Sequence, residues 1–206
     1  MVELSYATPL SGCTPLADGA DRPVTLSEVA GRGMIDLRLT TTGGRGAAVV
    51  REVTGATLPK KPRTSRTAGA TSVLWLSVDQ WLITMPLEQR DACLEGLKSG
   101  LARTHAMVTD QSDARAVIRL TGTGAREIIM KGGAPDLTLP DFTPGSVRRM
   151  LFAEVAAMCH FIDDEPETVD LYVFRSYANY IWNWLVQTSH PNAAIGLWRR
   201  QPAPPV

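Results

Sequence analysis

Ser72-Val-Leu-Trp-Leu-Ser-Val-Asp-Gln-Trp-Leu-Ile-Thr-Met85 decides the fold of this 206-residue chain. Ser72 to Ser77 and Trp81 to Met85 are two runs of apolar, β-branched and aromatic residues, and Ser77, Val78, Asp79 and Gln80 stand at the turn between them, which predicts a β-hairpin. Immediately downstream, Leu87, Leu94, Leu97 and Leu101 recur at steps of seven, three and four. Glu88, Arg90, Glu95 and Lys98 lie off that stripe, and Pro86 opens the first turn, so an amphipathic helix follows the hairpin. Met107 and Val108 begin a further strand. Upstream, Met34 to Thr40 alternates as a half-buried strand. Gly43, Gly44 and Gly46 then punctuate a turn, and Ala47 to Thr54 has helical spacing, with Pro59 as the stop. The order from Met34 to Thr109 is β-α-β-β-α-β, the ferredoxin-like order.

The second half repeats this logic without repeating the sequence. Arg115 to Leu120 alternates as a strand, Thr121-Gly-Thr-Gly124 turns, and Ala125 to Lys131 makes a helix closed by Gly132 and Gly133. Val147 to Ala153, Glu154 to Phe161 and Val169 to Phe174 are strands, with Asp163-Asp-Glu-Pro166 as the turn before the last. Ser176 is placed to cap a final helix. The expectation is an α+β protein of two small sheet-and-helix units, the second ordered β-α-β-β-β-α. The units span residues 34–110 and 111–190. Residues 1–33, rich in Pro and Gly, read as an extended arm that adds little core apart from a short helix at Thr25 to Ala30, and residues 191–206 as a Pro-rich tail.

Composition narrows the function. Twenty-one Lys and Arg balance 21 Asp and Glu, and 44% of residues are hydrophobic. A chain this long buries about 70% of its unfolded surface and needs no disulfide or metal staple. Zero formal charge argues against nucleic acid or an anionic membrane as the main partner. Cys13, Cys93 and Cys159 are odd in number and far apart, which fits a reduced, cytoplasmic protein. The N-terminus has neither a basic nor an apolar leader region, and no apolar run reaches membrane-spanning length.

The search for catalytic chemistry returns little. The histidines are His105, His160 and His190, and no nucleophile elbow, zinc-protease helix or P-loop lysine motif is present. Gly44-Arg-Gly46 has Val49 where a dinucleotide fingerprint needs its third glycine. Gly122-Thr-Gly124 has Glu127, which would repel a pyrophosphate. His160 beside Asp163, Asp164 and Glu165 lacks a second histidine at ligand spacing, so a solvated turn is the simpler reading. Lys60, Lys61, Arg63 and Arg66 form a basic loop, either solvated or able to grip an anion or an acidic partner. In the last helix, Tyr177, Tyr180, Ile181, Trp184 and Leu185 share a face that can dock on the sheet. Trp182 and Val186 then point elsewhere and, with Trp198, are candidates for a partner interface.

Several blocks together resemble a known family. Trp75-Leu-Ser-Val-Asp-Gln-Trp81-Leu, Val108-Thr-Asp-Gln-Ser-Asp-Ala-Arg115 through Gly122, Gly124-Ala-Arg-Glu-Ile-Ile-Met-Lys131 through Leu137, Phe142-Thr-Pro-Gly145, Arg175-Ser-Tyr-Ala178 and Trp182-Asn-Trp184-Leu are similar, in order and spacing, to the gamma subunit of heterotetrameric sarcosine oxidase. The likeness covers about Met34 to Thr188. More distantly, the Asp-x-Ser-x-x-Arg strand followed by Leu-x-Gly and a helix resembles the folate-binding T-protein of glycine cleavage, which implies a related fold. The resemblance implies a non-catalytic subunit without cofactors of its own, beside alpha, beta and delta subunits that carry FAD, FMN, NAD, tetrahydrofolate and zinc. The close runner-up is the matching subunit of N-methylglutamate dehydrogenase. A free-standing folate-binding protein is the reading from another class, and Asp110 and Asp113 are the carboxylates it could use.

Overall fold

The hairpin stands as read, with each strand one residue longer at its outer end and the second one residue longer at the turn as well. In the computed structural model, which describes residues 7–16, 22–40 and 42–196, its strands are β4 (Thr71–Ser77) and β5 (Gln80–Pro86), joined by Val78 and Asp79. Trp75 pairs with Trp81 and Ser72 with Thr84. Around it lie β1 (Thr25–Glu28), β2 (Arg32–Leu39), α1 (Gly44–Thr54), β3 (Ser65–Ala68), α2 (Arg90–Leu101) and β6 (Ala106–Asp110). The second half contributes β7 (Arg115–Thr121), α3 (Ala125–Gly132), β8 (Val147–Phe152), β9 (Val155–Asp164), β10 (Glu167–Phe174) and α4 (Ala178–Thr188).

These strands form two five-stranded sheets, ordered β3-β4-β5-β2-β6 and β1-β7-β10-β9-β8, in which every neighbouring pair is antiparallel. The first is the ferredoxin-like sheet with β3 added at its edge. The molecule is layered helix, sheet, sheet, helix. Ile35, Leu37, Trp81 and Ile83 meet Val50 of α1 and Leu97 of α2 on one outer face. Ile118, Phe161 and Leu171 meet Ile129 of α3 and Ile181 of α4 on the other. Between the sheets, Met34, Leu74, Leu82, Val117, Met158 and Tyr172 form a third cluster. The side chains that alternate away from the helices therefore face the other sheet and not water.

Several expectations change in detail. Thr25–Glu28, where a short helix is expected, is a strand paired with β7, because alternation places Leu26 in the core. Leu10 and Val24 are buried there too, so the described part of the N-terminal segment supplies core and does not lie apart from it. Helix α1 stops at Gly55, four residues before Pro59: Gly55 adopts φ 72° and its N–H donates to Arg51 O. That left-handed position is one glycine takes at no steric cost. Ser176 lies inside a 3-10 turn, Arg175–Tyr177, and makes no cap to α4. Arg66 of the basic loop belongs to β3.

Helix α4 is rotated relative to the face read in the sequence. Ile181 and Leu185 are buried and Trp184 packs partly against the core as expected, but Ala178 and Trp182 are buried too, whereas Tyr177 and Tyr180 are exposed. The spacing of both sets is helical, so periodicity alone could not choose between them. Burying the two tyrosines would strand their hydroxyls, while the face with Ala178 lets the helix approach the sheet closely.

Candidate functional site

The polar groups that could do chemistry concentrate between the two sheets. Asp170 of β10, 1% exposed, accepts from Arg119 Nε at 2.6 Å and Nη2 at 2.9 Å, and Arg32 of the opposite sheet stands 3.6 Å away. Antiparallel pairing puts Asp170 directly across from both Arg119 and His160. Burial lowers the His160 imidazole to about 4, Arg32 and Arg119 push the same way, and Asp170 opposes them. Burial likewise raises the Tyr172 phenol and lowers the Arg115 guanidinium.

Ser65, His160 and Asp170 are the residue types of a nucleophilic triad, but their hydrogen bonds run the other way. Ser65 Oγ gives its single proton to Gly145 O at 3.0 Å, so at 2.9 Å it must accept from His160 Nε2. The imidazole is a donor to the hydroxyl and not its base. Asp170 is held by guanidinium groups. The arrangement ties β3 of one sheet to β9 of the other.

A second buried network surrounds Arg126 at the start of α3. Its guanidinium binds Glu167, Asp164 Oδ1 at 3.0 Å, Leu137 O at 2.7 Å and Phe142 O at 3.1 Å, and lies 4.4 Å from the centroid of Phe161. The Arg126 N–H also donates to Glu167. One side chain thus joins the helix, the 133–146 loop and the β9–β10 turn.

The carboxylates nominated for folate are committed elsewhere. Asp110 Oδ1 accepts from Ser112 N and Oγ, and its other oxygen is 3.2 Å from Arg90. Asp113 is largely exposed, 4.0 Å from Arg175. The space beside Ser112 and Arg115 holds about 20 Å³. A small-molecule site typically has about 300–1,000 Å³. Among the described residues no cluster of His, Cys, Asp and Glu could hold a metal ion, and no helix is long and apolar enough to cross a membrane. Burial raises the thiols of Cys93 and Cys159, the latter to about 12.

The partner residues proposed from sequence divide three ways. Trp182 is 4% exposed and packs into the core beneath α4, so it cannot anchor another protein. Val186 is half-buried against the same core, and its carbonyl accepts from Arg22. Trp198 lies outside the described residues. The exposed apolar groups are elsewhere. Phe174, Tyr177 and Tyr180 stand together at the entry to α4, with Arg115 stacked 4.7 Å from the Phe174 ring. Leu151 on β8 and Leu139 in the preceding loop are 69% and 50% exposed. The Arg148-Arg-Met-Leu151 run was the available signal for the second group, and its alternation of charge with large apolar residues on an edge strand is what sequence reading passed over.

The basic loop is anchored beside that run. Arg63 O accepts from Val147 N at 2.8 Å and Ser65 N donates to Gly145 O at 2.7 Å, while Lys60, Lys61, Arg63 and Arg66 all remain exposed.

A model of the sarcosine oxidase gamma subunit family matches residues 40–191. The chain is similar to a solved heterotetrameric sarcosine oxidase from Corynebacterium sp. U-96, with a TM-score of 0.80 and 23% identity over 94% of this chain and 99% of that one. It is also similar to glycine cleavage system aminomethyltransferase T from Bartonella henselae, with a TM-score of 0.56 and 9% identity over 78% of this chain and 45% of that one. Both structural likenesses concern the fold. No curated protein matches the sequence.

Proposed function

The chain belongs to the sarcosine oxidase gamma subunit family, and we propose that it serves as a non-catalytic subunit of a heterotetrameric flavoenzyme. The partners are alpha, beta and delta subunits, which carry FAD, FMN, NAD, tetrahydrofolate and zinc. The complex demethylates sarcosine oxidatively to glycine: flavin accepts the hydride equivalent, oxygen reoxidises it to peroxide, and tetrahydrofolate collects the one-carbon unit.

The observation that carries the non-catalytic reading is how the buried ionisable groups are used. Asp170 is clamped by Arg119, Glu167 by Arg126, and His160 donates to Ser65. A general acid or base needs a proton it can exchange with a reacting group within hydrogen-bond reach. Each of these side chains is instead a bridge between elements of the fold. Exposed apolar clusters at Leu139 with Leu151, and at Phe174 with Tyr177 and Tyr180, favour membership of an assembly.

The test is to produce the tagged chain alone and together with the products of its neighbouring genes, then to read flavin absorbance and mass. The isolated chain is expected to be colourless, and the co-produced chain to be retained in a yellow multi-subunit complex. A monodisperse monomer that never co-purifies with a flavoprotein refutes the proposal.

A further inference from the structure

The open edge of β8 is built to receive a strand. In an antiparallel strand, alternate residues direct both backbone groups to the same side. Ser146 O accepts from Phe161 N, toward β9, whereas Val147 N donates outward to Arg63 O and Ala153 N outward to Gly132 O. The parity places the N–H and C=O of Arg149 and Leu151 on the outer side, between those two plugs. Among the described residues the N–H groups of Arg149 and Leu151 have no backbone partner there, while an isolated antiparallel bridge between Gly133 and Phe152 closes the far end of the window on the Leu151 carbonyl side. A cleft of about 530 Å³ runs along this window, walled by Pro135, Leu139, Met150 and Leu151 and by Arg63, Arg148 and Arg149.

An edge protected only against aggregation carries charge and hides its apolar groups. Here Leu151 is 69% exposed and Leu139 50% exposed beside unpaired backbone. The charge is also one-sided. Arg63, Arg148 and Arg149 line the cleft and Lys60 and Lys61 stand in the loop that carries Arg63, while the acids lining it are Asp136 and Asp141. Asp141 pairs with Arg148 at 3.2 Å, and Asp136, which accepts from the neutral Thr138 hydroxyl at 2.6 Å, keeps its charge against Arg63, Arg149 and the two lysines. This local excess of cations occurs in a chain with no net charge.

We propose that an extended segment of another subunit, bearing carboxylates and alternate apolar side chains, adds as a strand to β8 at Arg149 and Leu151. Backbone bonds to these two residues supply affinity, Leu139 and Leu151 seat its apolar side chains, and Arg63 with Arg149 select its carboxylates. This chain's own C-terminal residues do not match: Trp198-Arg-Arg-Gln-Pro-Ala-Pro-Pro-Val206 is basic and short of N–H donors. The inference rests on membership of the multi-subunit flavoenzyme proposed above.

The experiment compares amide hydrogen exchange at 149 and 151 in the isolated full chain and in the co-purified complex. Exchange is expected to slow at least tenfold on assembly, with protection of an open edge that neighbouring residues do not share. Leu151→Pro removes an outward N–H without breaking a bond to β9, and Arg149→Glu reverses a lining charge. Each is expected to weaken assembly by about tenfold, as expected for the loss of one good interface contact. Arg149→Glu should also flatten its salt dependence. Thermal unfolding of each isolated variant reports whether it folds, and the exchange measurement needs no variant. Unprotected 149 and 151 amides in an assembled complex overturn this proposal alone. Protection already present in the isolated chain means the edge is covered by the chain itself or by a second copy, which also overturns it. A wild-type chain that fails to assemble overturns both readings.

Discussion

His160 offers a quantitative test of the layer between the sheets. Its folded value of about 4 lies below the ordinary 6.5, so the unfolded chain binds a proton over a range where the folded chain does not. Stability therefore rises with pH across that range: the contribution is fully present above 6.5 and is lost as pH falls toward 4. A separation of two and a half pH units gives a ceiling of about 3 kcal/mol, of which about 2 kcal/mol is lost between pH 7 and pH 5. The side chain is 4% exposed, so solvent screening takes little from this figure. Urea unfolding at pH 7 and pH 5 reads the wild-type slope, and the same pair of measurements on His160→Gln isolates the histidine. The Gln amide can still donate to Ser65 Oγ but does not titrate. His105 and His190 are common to both proteins and cancel in the comparison. The variant is expected to lose about 2 kcal/mol less than the wild type between the two pH values. Equal slopes would refute the placement of a neutral, donating imidazole against Ser65.

Two further perturbations probe the packing. Arg126→Met leaves Glu167 buried without its cation and is expected to cost about 3–5 kcal/mol in denaturant unfolding, whereas Arg126→Met combined with Glu167→Gln should cost less than the sum of the two single changes. Additive effects would refute the coupling between them. Trp182→Ala should destabilise by about 3–5 kcal/mol as a core truncation, while Tyr180→Ser stays within about 0.5 kcal/mol, because α4 buries the first and exposes the second. The reverse ranking would restore the helix face expected from sequence.

The alternation of apolar residues made much of the order of strands and helices legible, since the period of two survives in β2, β7 and β10, while β5 shows instead as a continuous apolar run. The missed strands lack that signal. Ser65-Arg-Thr-Ala68 has no large apolar residue and is held by pairing with β4 and by the Ser65 bond to Gly145. Thr25-Leu-Ser-Glu28 offers a single large apolar side chain, and only its pairing with β7 makes it a strand. The stacking of the two sheets was invisible for a different reason. Asp36, Arg115, Arg119 and Asp170 on alternate positions look like water-facing residues, yet Asp36 and Asp170 are 3% and 1% exposed. Sequence pattern reports which side chains lie opposite the apolar face; whether water or another charged sheet lies there depends on pairing between residues as distant as Ser65 and His160.

A charged layer of this kind does more to fix an arrangement than to strengthen it. Replacing a buried ion pair by apolar residues of similar size is often neutral or stabilising, but breaking one is costly. Asp36 shows the expense: one carboxylate oxygen accepts from Gln80 at 2.7 Å, and the other has no hydrogen-bond partner among the described residues. An all-apolar interface would let one sheet slide over the other with little penalty. Asp170 between Arg119 and Arg32, and His160 on Ser65, are satisfied in one registry only, because each joins a named atom of one sheet to a named atom of the other or to its immediate neighbour. That registry is what brings the Arg63 loop against Val147 and so frames one end of the open β8 edge. Loosening the layer should therefore weaken assembly at β8 even though none of its residues reaches that surface.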